Sequence, residues 1–147
     1  MTLVIDASLV VSALVDSGST GTWAESLLAT EPLSAPHLMP VEATNILRRA
    51  AMAGNISADA ASMAHADLLD LRVELFPYAP FAARVWELRD NVTSYDAWYI
   101  ALAESLGSRV ATLDLRLARA PGPRCRFETP PPEPDRAKSQ PDPVADG

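Results

Sequence analysis

The stretch Val92–Asp114, VTSYDAWYIALAESLGSRVATLD, constrains the fold more than any other part of the chain. Thr93 and Ser94 supply capping hydroxyls, Ala97, Ile100, Ala101 and Leu106 form an apolar set, and Gly107 stands where a left-handed C-terminal residue belongs. Trp98, Tyr99, Leu102 and Ala103 fill most of the other faces, so this predicted helix is apolar nearly all round and belongs inside a layered domain. After a turn at Gly107–Arg109, Val110–Leu113 reads as a strand buried on both faces, and Asp114 ends it. A helix over residues 95–106 is about 17 Å long and a strand over 110–114 about 13–16 Å, so their lengths nearly match. In an α/β layer the helix runs antiparallel to the strand that follows it. Asp96, in the first helical turn, and Asp114, at the strand tip, are then neighbours at the carboxyl edge, where open parallel sheets bind ligands.

The start of the chain repeats the pattern. Leu3–Ile5 is a short apolar run ending on Asp6, and Ala7–Leu14 reads as a helix leaving the strand tip with Asp6 or Ser8 as cap. Asp16–Gly21 is a predicted loop and Thr22–Thr30 an amphipathic helix using Trp23, Leu27 and Leu28. Leu33–Ala35 is a short strand, and Pro40 opens a helix to about Ala53, closed by Gly54, with Glu42 in its first turn. Ser57 caps a helix over Ala58–Leu71, Val73–Phe76 is a strand, and Pro80 opens a helix to about Arg89. This alternation predicts an α/β domain with a parallel sheet covered on both faces.

One domain over residues 1–128 accounts for this pattern, followed by a tail over 129–147. Thr129–Gly147 holds six prolines and no aromatic residue, a composition that predicts disorder. The net charge of −7 argues against broad electrostatic binding of nucleic acid but leaves room for a local basic rim. Cys125, the single cysteine, excludes an internal disulfide and a cysteine-rich zinc site. Asp6 interrupts the first apolar run and no basic leader precedes it, so a cytoplasmic protein with neither signal peptide nor membrane span is expected.

Asp6, Asp96 and Asp114 thus converge on one edge, with Glu42 as a fourth candidate. Singly, each has a plain structural role: a strand-tip aspartate caps a helix, and a first-turn glutamate complements the helix dipole. Together, carboxylates at one edge repel unless something cationic sits among them. All four are hard oxygen donors, and His37 and His65 are isolated, so the pattern suits Mg²⁺ or Mn²⁺ rather than zinc. Such sites activate water against phosphodiesters. The chain has no G-x-x-x-x-G-K phosphate loop and no G-x-G-x-x-G fingerprint after a strand.

LVIDAS, PVEATNILRR, TSYDAWYIALAESLG and ATLDLRLARAPG resemble the four acidic blocks of the PIN-domain ribonucleases, specifically the VapC-type toxins, and the likeness runs from residue 2 to about 127. The resemblance implies a three-layer sandwich with a five-stranded parallel sheet, Mg²⁺- or Mn²⁺-dependent cleavage of RNA, a cognate antitoxin and a homodimer. Position by position it assigns Asp6, Glu42, Asp96 and Asp114 to the metal pocket, and Ser94 to an accompanying hydroxyl that the residues alone read equally well as a cap. Leu115, Arg116 and Leu117 stand where some relatives carry a further acid, which thins the second metal site.

Two other function classes bear on these residues. A binding protein would hold RNA or antitoxin in the same pocket without turnover. A phosphoacceptor domain would carry a paired acidic motif after the first strand and a lysine near the last one, and the only lysine, Lys138, lies in the tail. Arg48, Arg49, Arg116 and Arg119 are candidates for a phosphate-contacting rim, or solvated surface charges. Trp23, Leu27, Leu47 and Trp86 mark an antitoxin dock, or core.

Overall fold

Leu3, Val4 and Ile5 form β1, and each is fully buried, as the uninterrupted apolar run requires of a strand covered on both faces. The computed structural model describes residues 2–133 and places β1 at the centre of a five-stranded, all-parallel sheet. The other strands are β2 (Leu33–Pro36), β3 (Val73–Phe76), β4 (Val110–Ala111) and β5 (Phe127–Glu128), in the order β3-β2-β1-β4-β5. β3 lies at an edge, and its residues are correspondingly more exposed than those of β1 and β2. The tail from Pro134 onward falls outside the described residues; Thr129–Glu133 carries no regular structure.

Seven helices connect and cover the strands: α1 (Ala7–Val15), α2 (Ser19–Thr30), α3 (Met39–Met52), α4 (Ala58–Asp70), α5 (Ala82–Glu87), α6 (Ser94–Ser105) and α7 (Leu115–Arg119). This is the expected α/β three-layer sandwich. α1 packs against α2, α3 and α4, and α6 packs against β1, β2 and β4. A second apolar cluster joins Val85 and Leu88 to Ala97, Ile100, Ala101 and Leu117. α6 is buried at Ala97 and continuously from Tyr99 to Ala103, as its all-round apolar sequence demands. Among the described residues, no helix is long and apolar enough to cross a membrane.

Several boundaries differ from the sequence reading. α2 starts at Ser19, not Thr22: Thr22 N–H bonds to the Gly18 carbonyl, and Asp16 Oδ1 accepts from Gly18 N–H at 2.8 Å, which turns the expected loop early. Pro80 lies in a 3₁₀ turn over Ala79–Phe81, and the α-helix after it ends at Glu87. β4 ends at Ala111, although the Thr112 N–H still reaches the Glu128 carbonyl, and Asp114 turns its side chain to cap α7, a helix of five residues. α6 is capped by Thr93, whose hydroxyl accepts from Asp96 N–H at 3.2 Å; Ser94 is its first helical residue. Gly54 and Gly107 both follow helices with positive φ, 76° and 61°, as their expected stop positions require.

Of the four residues marked as dock or core, Leu27 and Leu47 are core and Trp23 is half-buried against it. Only Trp86 is exposed, at 67%.

Candidate metal centre at the carboxyl edge

The sheet order reverses between β1 and β4: the chain leaves β1 for β2 on one side and returns for β4 on the other. Ligands of open α/β sheets bind at such switch points. Ile5 pairs with Ala111, so the next residues, Asp6 and Thr112, are lateral neighbours on one face of the sheet. The Thr112 hydroxyl donates to Asp6 Oδ2. The other carboxylate oxygen, Oδ1, accepts from the Ser8 hydroxyl at 2.7 Å and from Leu9 N–H at 3.0 Å. Asp6 is therefore a helix cap and a site residue at once, its two oxygens dividing the tasks.

Asp114 repeats the arrangement. Its Oδ1 accepts from Arg116 N–H at 2.9 Å and Leu117 N–H at 3.2 Å, capping α7, while its own N–H donates to the Thr112 hydroxyl at 3.0 Å. Thr112 is fully buried and bridges both strand tips. From the opposite side, α3 brings Glu42 in its first turn, and Tyr99 of α6 donates its hydroxyl to Glu42 Oε1 at 2.7 Å. Asp96 and Tyr99 are three residues apart on α6 and share a face, so one helix contributes a carboxylate and the group that orients a second. Ser94 is exposed at the start of α6, with no hydrogen bond from its hydroxyl to the four carboxylates.

The electrostatics show what this arrangement lacks. Burial pushes the Asp6 carboxyl up, against the hydrogen bonds from Thr112, Leu9 and Ser8, and the Asp96 charge adds to the rise. Burial also raises Glu42; the Tyr99 hydroxyl offsets part of this, and the charges of Asp96 and Asp6 restore it. Asp96 is raised by burial and by Asp114, against the Thr93 hydroxyl. Tyr99 is pushed far up by burial and by Glu42, so it stays a neutral donor. The ion pairs among the described residues involve Arg84 and Arg109 only, and none includes these four acids. Mutual repulsion without an internal cation is the environment a divalent ion relieves.

Among the described residues, no three acid, imidazole or thiol side chains are already gathered tightly enough to enclose a metal. The donor set still fits a hard cation that keeps several waters and binds through one or two carboxylates, as Mg²⁺ does. A cavity of about 620 Å³ lies elsewhere, at the opposite end of α6, lined by Glu104, Ser108, Arg109 and Arg124 among others. Its glutamate is bound by Arg84 through two hydrogen bonds, so it lacks an uncompensated carboxylate.

All four predicted acids thus meet at one edge. The sequence reading passed over Thr112, Ser8 and Tyr99 as site residues. Thr112 stands two residues before Asp114, and only the β1–β4 register reveals that it serves Asp6. Tyr99 was visible as the residue three after Asp96 on an otherwise apolar helix. Of the candidate arginines, Arg116 and Arg119 lie on α7, directly beyond Asp114, and are exposed. Arg48 and Arg49 are exposed further along α3, about 9–10 Å from Glu42 along the helix axis.

Comparison with known proteins places this geometry in a family. The PIN domain model matches residues 3–123. The chain is 40% identical over 126 residues to Ribonuclease VapC1 of Mycobacterium tuberculosis, covering 85% of this chain and 95% of that protein. It is 37% identical over 123 residues to VapC ribonuclease Mb0985 of Mycobacterium bovis, covering 84% and 94%. Among solved structures it is similar to PAE2754 from Pyrobaculum aerophilum, with TM-score 0.66, 23% identity, and coverage of 86% of this chain and 83% of that one. It also matches Mycobacterium tuberculosis VapC20, a Sarcin-Ricin loop cleaving toxin, with TM-score 0.61, 18% identity, and coverage of 80% and 93%. The carboxylate edge described above is therefore that of a PIN-domain protein, and the chain belongs to the PIN-domain family, among the VapC ribonucleases.

Proposed function

We propose that the chain is a divalent-metal-dependent endoribonuclease, the toxin of a toxin–antitoxin pair. The observation that carries the reading is the meeting of Asp6, Glu42, Asp96 and Asp114 at the switch point, three of them holding protons more tightly than usual and none ion-paired among the described residues. The names of the 37–40% identical relatives support RNA as substrate. The solved VapBC2 and FitAB complexes of the same fold support a cognate antitoxin as partner. A homodimer follows from the same family reading.

A Mg²⁺ or Mn²⁺ ion bound here would supply charge for the scissile phosphate and acidify a water. Asp6, Asp96 and Asp114 would hold it, with Glu42 as a fourth holder or as the group that positions the attacking water. Ser8, Thr112 and the Leu9 amide fix the Asp6 carboxylate in one orientation, so little reordering accompanies binding. Tyr99 holds Glu42 through Oε1 and leaves Oε2 without a hydrogen bond among the described residues. The raised proton affinity of Glu42 suits it to take the proton of the attacking water. The water oxygen then bonds to phosphorus as the P–O bond to the leaving ribose breaks, and the leaving oxygen takes a proton from solvent water while Glu42 keeps the one it took. Arg116 and Arg119 are placed to contact the neighbouring phosphates.

The test is incubation of total RNA with purified protein in Mg²⁺ or Mn²⁺, with EDTA and Asp96→Asn as paired controls. Discrete fragments that vanish in both controls are expected. Intact RNA under every metal condition, from folded protein free of antitoxin, would refute turnover and leave an RNA- or antitoxin-binding protein.

A further inference from the structure

One cavity of the molecule takes no part in the nuclease reading. It measures about 620 Å³ and lies at the amino edge of the sheet, where Arg109 immediately precedes β4 and Arg126 immediately precedes β5. The end of α6 lines it on another side: Glu104 stands eight residues after Asp96, about 12 Å farther along the helix axis. Cavity and carboxylate edge therefore lie at opposite ends of the same strands. Three guanidiniums and one carboxylate line the cavity, and their charges are not equally answered. Arg109 donates to both oxygens of Glu31, at 3.1 and 2.7 Å, and its Nε donates to Glu128. Both Glu104 oxygens accept from Arg84, at 2.7 and 3.1 Å.

Arg124 and Arg126 are different. Their backbones are fixed, since Arg124 N–H donates to Glu104 Oε1 at 2.7 Å and the Arg126 carbonyl accepts from Val110 N–H at 3.0 Å, and Cys125 between them packs on both apolar clusters. Their guanidiniums are exposed and make no ion pair among the described residues. A chain of net charge −7 thus leaves two positive charges unanswered beside one recess. The segment after β5 leads away from it: Pro130–Glu133 lie beside Ser19 and Thr20, at the start of α2, whereas Glu31, the partner of Arg109, follows the end of that 12-residue helix. Charge and size decide what fits. A phosphate monoester carries about −1.5 to −2 at neutral pH on oxygens that match the guanidinium fork, whereas a carboxylate carries one charge. Small-molecule sites occupy about 300–1,000 Å³, so this volume leaves room beside a phosphate for the body attached to it, against the apolar wall of Ala103 and Cys125. A strand of RNA, by contrast, tracks an open groove.

We propose that this cavity is a binding site for a phosphate monoester of nucleotide size, whose phosphate is held between the Arg124 and Arg126 guanidiniums. The site is separate from the carboxylate edge and does not depend on the nuclease reading. Arg109 and Glu104 shape it, and their own charges are already satisfied by Glu31, Glu128 and Arg84.

The test is isothermal titration calorimetry on the full chain in EDTA, so that nothing binds through a metal at the carboxylate edge. The probes are AMP, ribose 5-phosphate, inorganic phosphate and adenosine. One ester per chain is expected to bind at least about tenfold more tightly than inorganic phosphate, with no binding of adenosine, and the tighter of the two esters identifies the body attached to the phosphate. Arg124→Gln and Arg126→Gln should each weaken the ester about tenfold, the loss of one charge-assisted contact. Arg124→Lys, which keeps the charge but not the fork, should fall between Arg124→Gln and the parent. Arg72→Gln, at an exposed arginine before the edge strand β3, should bind as the parent does. Without ligand, both glutamine variants should melt as the parent does, and a lower melting point would make the arginines structural and overturn the site. Equal affinity for esters and inorganic phosphate would leave an adventitious ion only. No binding tighter than about 1 mM, or an unchanged affinity in the double glutamine variant, would also overturn the proposal. RNA cleavage in Mn²⁺ should be the same in the double variant and the parent; a fall would assign the two arginines to the RNA backbone instead.

Discussion

Replacing Thr112 by valine removes one hydroxyl and tests how the site is built. The side chain is fully buried, and valine keeps its shape and its preference for extended backbone, so packing changes little. Two hydrogen bonds are lost: the one donated to Asp6 Oδ2 and the one accepted from Asp114 N–H at 3.0 Å. Asp114 is exposed, and its N–H can turn to water, so the loss falls mainly on Asp6. A hydrogen bond to a charged group contributes about 1.5–3 kcal/mol, and a buried acceptor left unpaired costs a similar amount. For the domain over residues 1–128, an unfolding entropy of about 2.1 cal/mol/K per residue sums to about 0.27 kcal/mol/K. The melting temperature in EDTA should therefore fall by about 6–11 °C.

The sign of the pH dependence makes the test specific. The Thr112 hydroxyl lowers the proton affinity of Asp6, which burial has raised. Valine therefore raises the folded-state pKa further above the unfolded value. Between those two values the folded protein binds more protons than the unfolded chain, so stability falls as pH rises through the window. The deficit of Thr112→Val should be larger near pH 8 than near pH 5, measured by thermal melts followed by circular dichroism. Thr112→Ser, which keeps the hydroxyl and loses a methyl group, should show a pH-independent deficit of about 1 kcal/mol. Equal melting of Thr112→Val and parent, or a deficit that does not change with pH, would refute the claim that this hydroxyl holds the carboxylate.

Other perturbations probe neighbouring parts. Asp6→Asn keeps an N-cap of equal quality and removes a buried, repelled charge, so it should melt above the parent in EDTA at neutral pH while abolishing RNA cleavage; a lower melting point would contradict the repulsion argument. Adding Mg²⁺ or Mn²⁺ at about a hundred times its dissociation constant should stabilise the parent by about 2.7 kcal/mol, read as a rise in melting temperature, and should leave Asp6→Asn nearly unchanged. Tyr99→Phe frees Glu42 and should lower kcat about tenfold or more with little change in KM, and unchanged steady-state kinetics would remove Tyr99 from the mechanism. Away from the site, burial pushes Glu104 up, but the Arg84 guanidinium and the Arg124 amide and charge outweigh it and hold the carboxyl below its usual range. Its stabilising share is present above about pH 4.3 and is lost as pH falls through the lowered value, so acid unfolding of Glu104→Gln should be less steep than that of the parent.

The order of elements was legible because β1 and β4 are short β-branched or apolar runs, and most helices carry a cap or stop residue in sequence: Asp6, Ser57, Thr93, Gly54 and Gly107. The sequence reading identified no strand at Phe127–Glu128, because two residues that pair only with β4 leave no alternation to read. It overlooked α7 for a related reason: five residues span barely more than one turn, too few for a helical period, and the helix depends on Asp114 turning from strand end to cap. The four acids were found because they sit at element ends, which local patterning marks well. Thr112 was not, since its role depends on which strand lies beside which, and Ser8, two residues after Asp6, read only as an alternative cap.

Asp6 and Asp114 were open to two readings, helix cap or site carboxylate, and the geometry shows why these do not compete. A strand tip that turns into a helix needs an acceptor for the first amides, and an acidic side chain meets that need with one oxygen. The cap fixes the carboxylate at the carboxyl edge through one oxygen and leaves the other out of the capping; at Asp6 that second oxygen accepts from the Thr112 hydroxyl. Doing this at the ends of both β1 and β4 brings two anchored carboxylates to the same edge, bridged by Thr112, and α6 and α3 add Asp96 and Glu42. Capping recovers part of the cost of crowding these charges, and Thr112, Ser8 and Tyr99 recover more. The remainder persists as raised proton affinity, and a cation relieves it on binding. The folding device and the binding device are thus the same atoms, and a substitution such as Asp6→Asn, which retains the cap but not the charge, separates them.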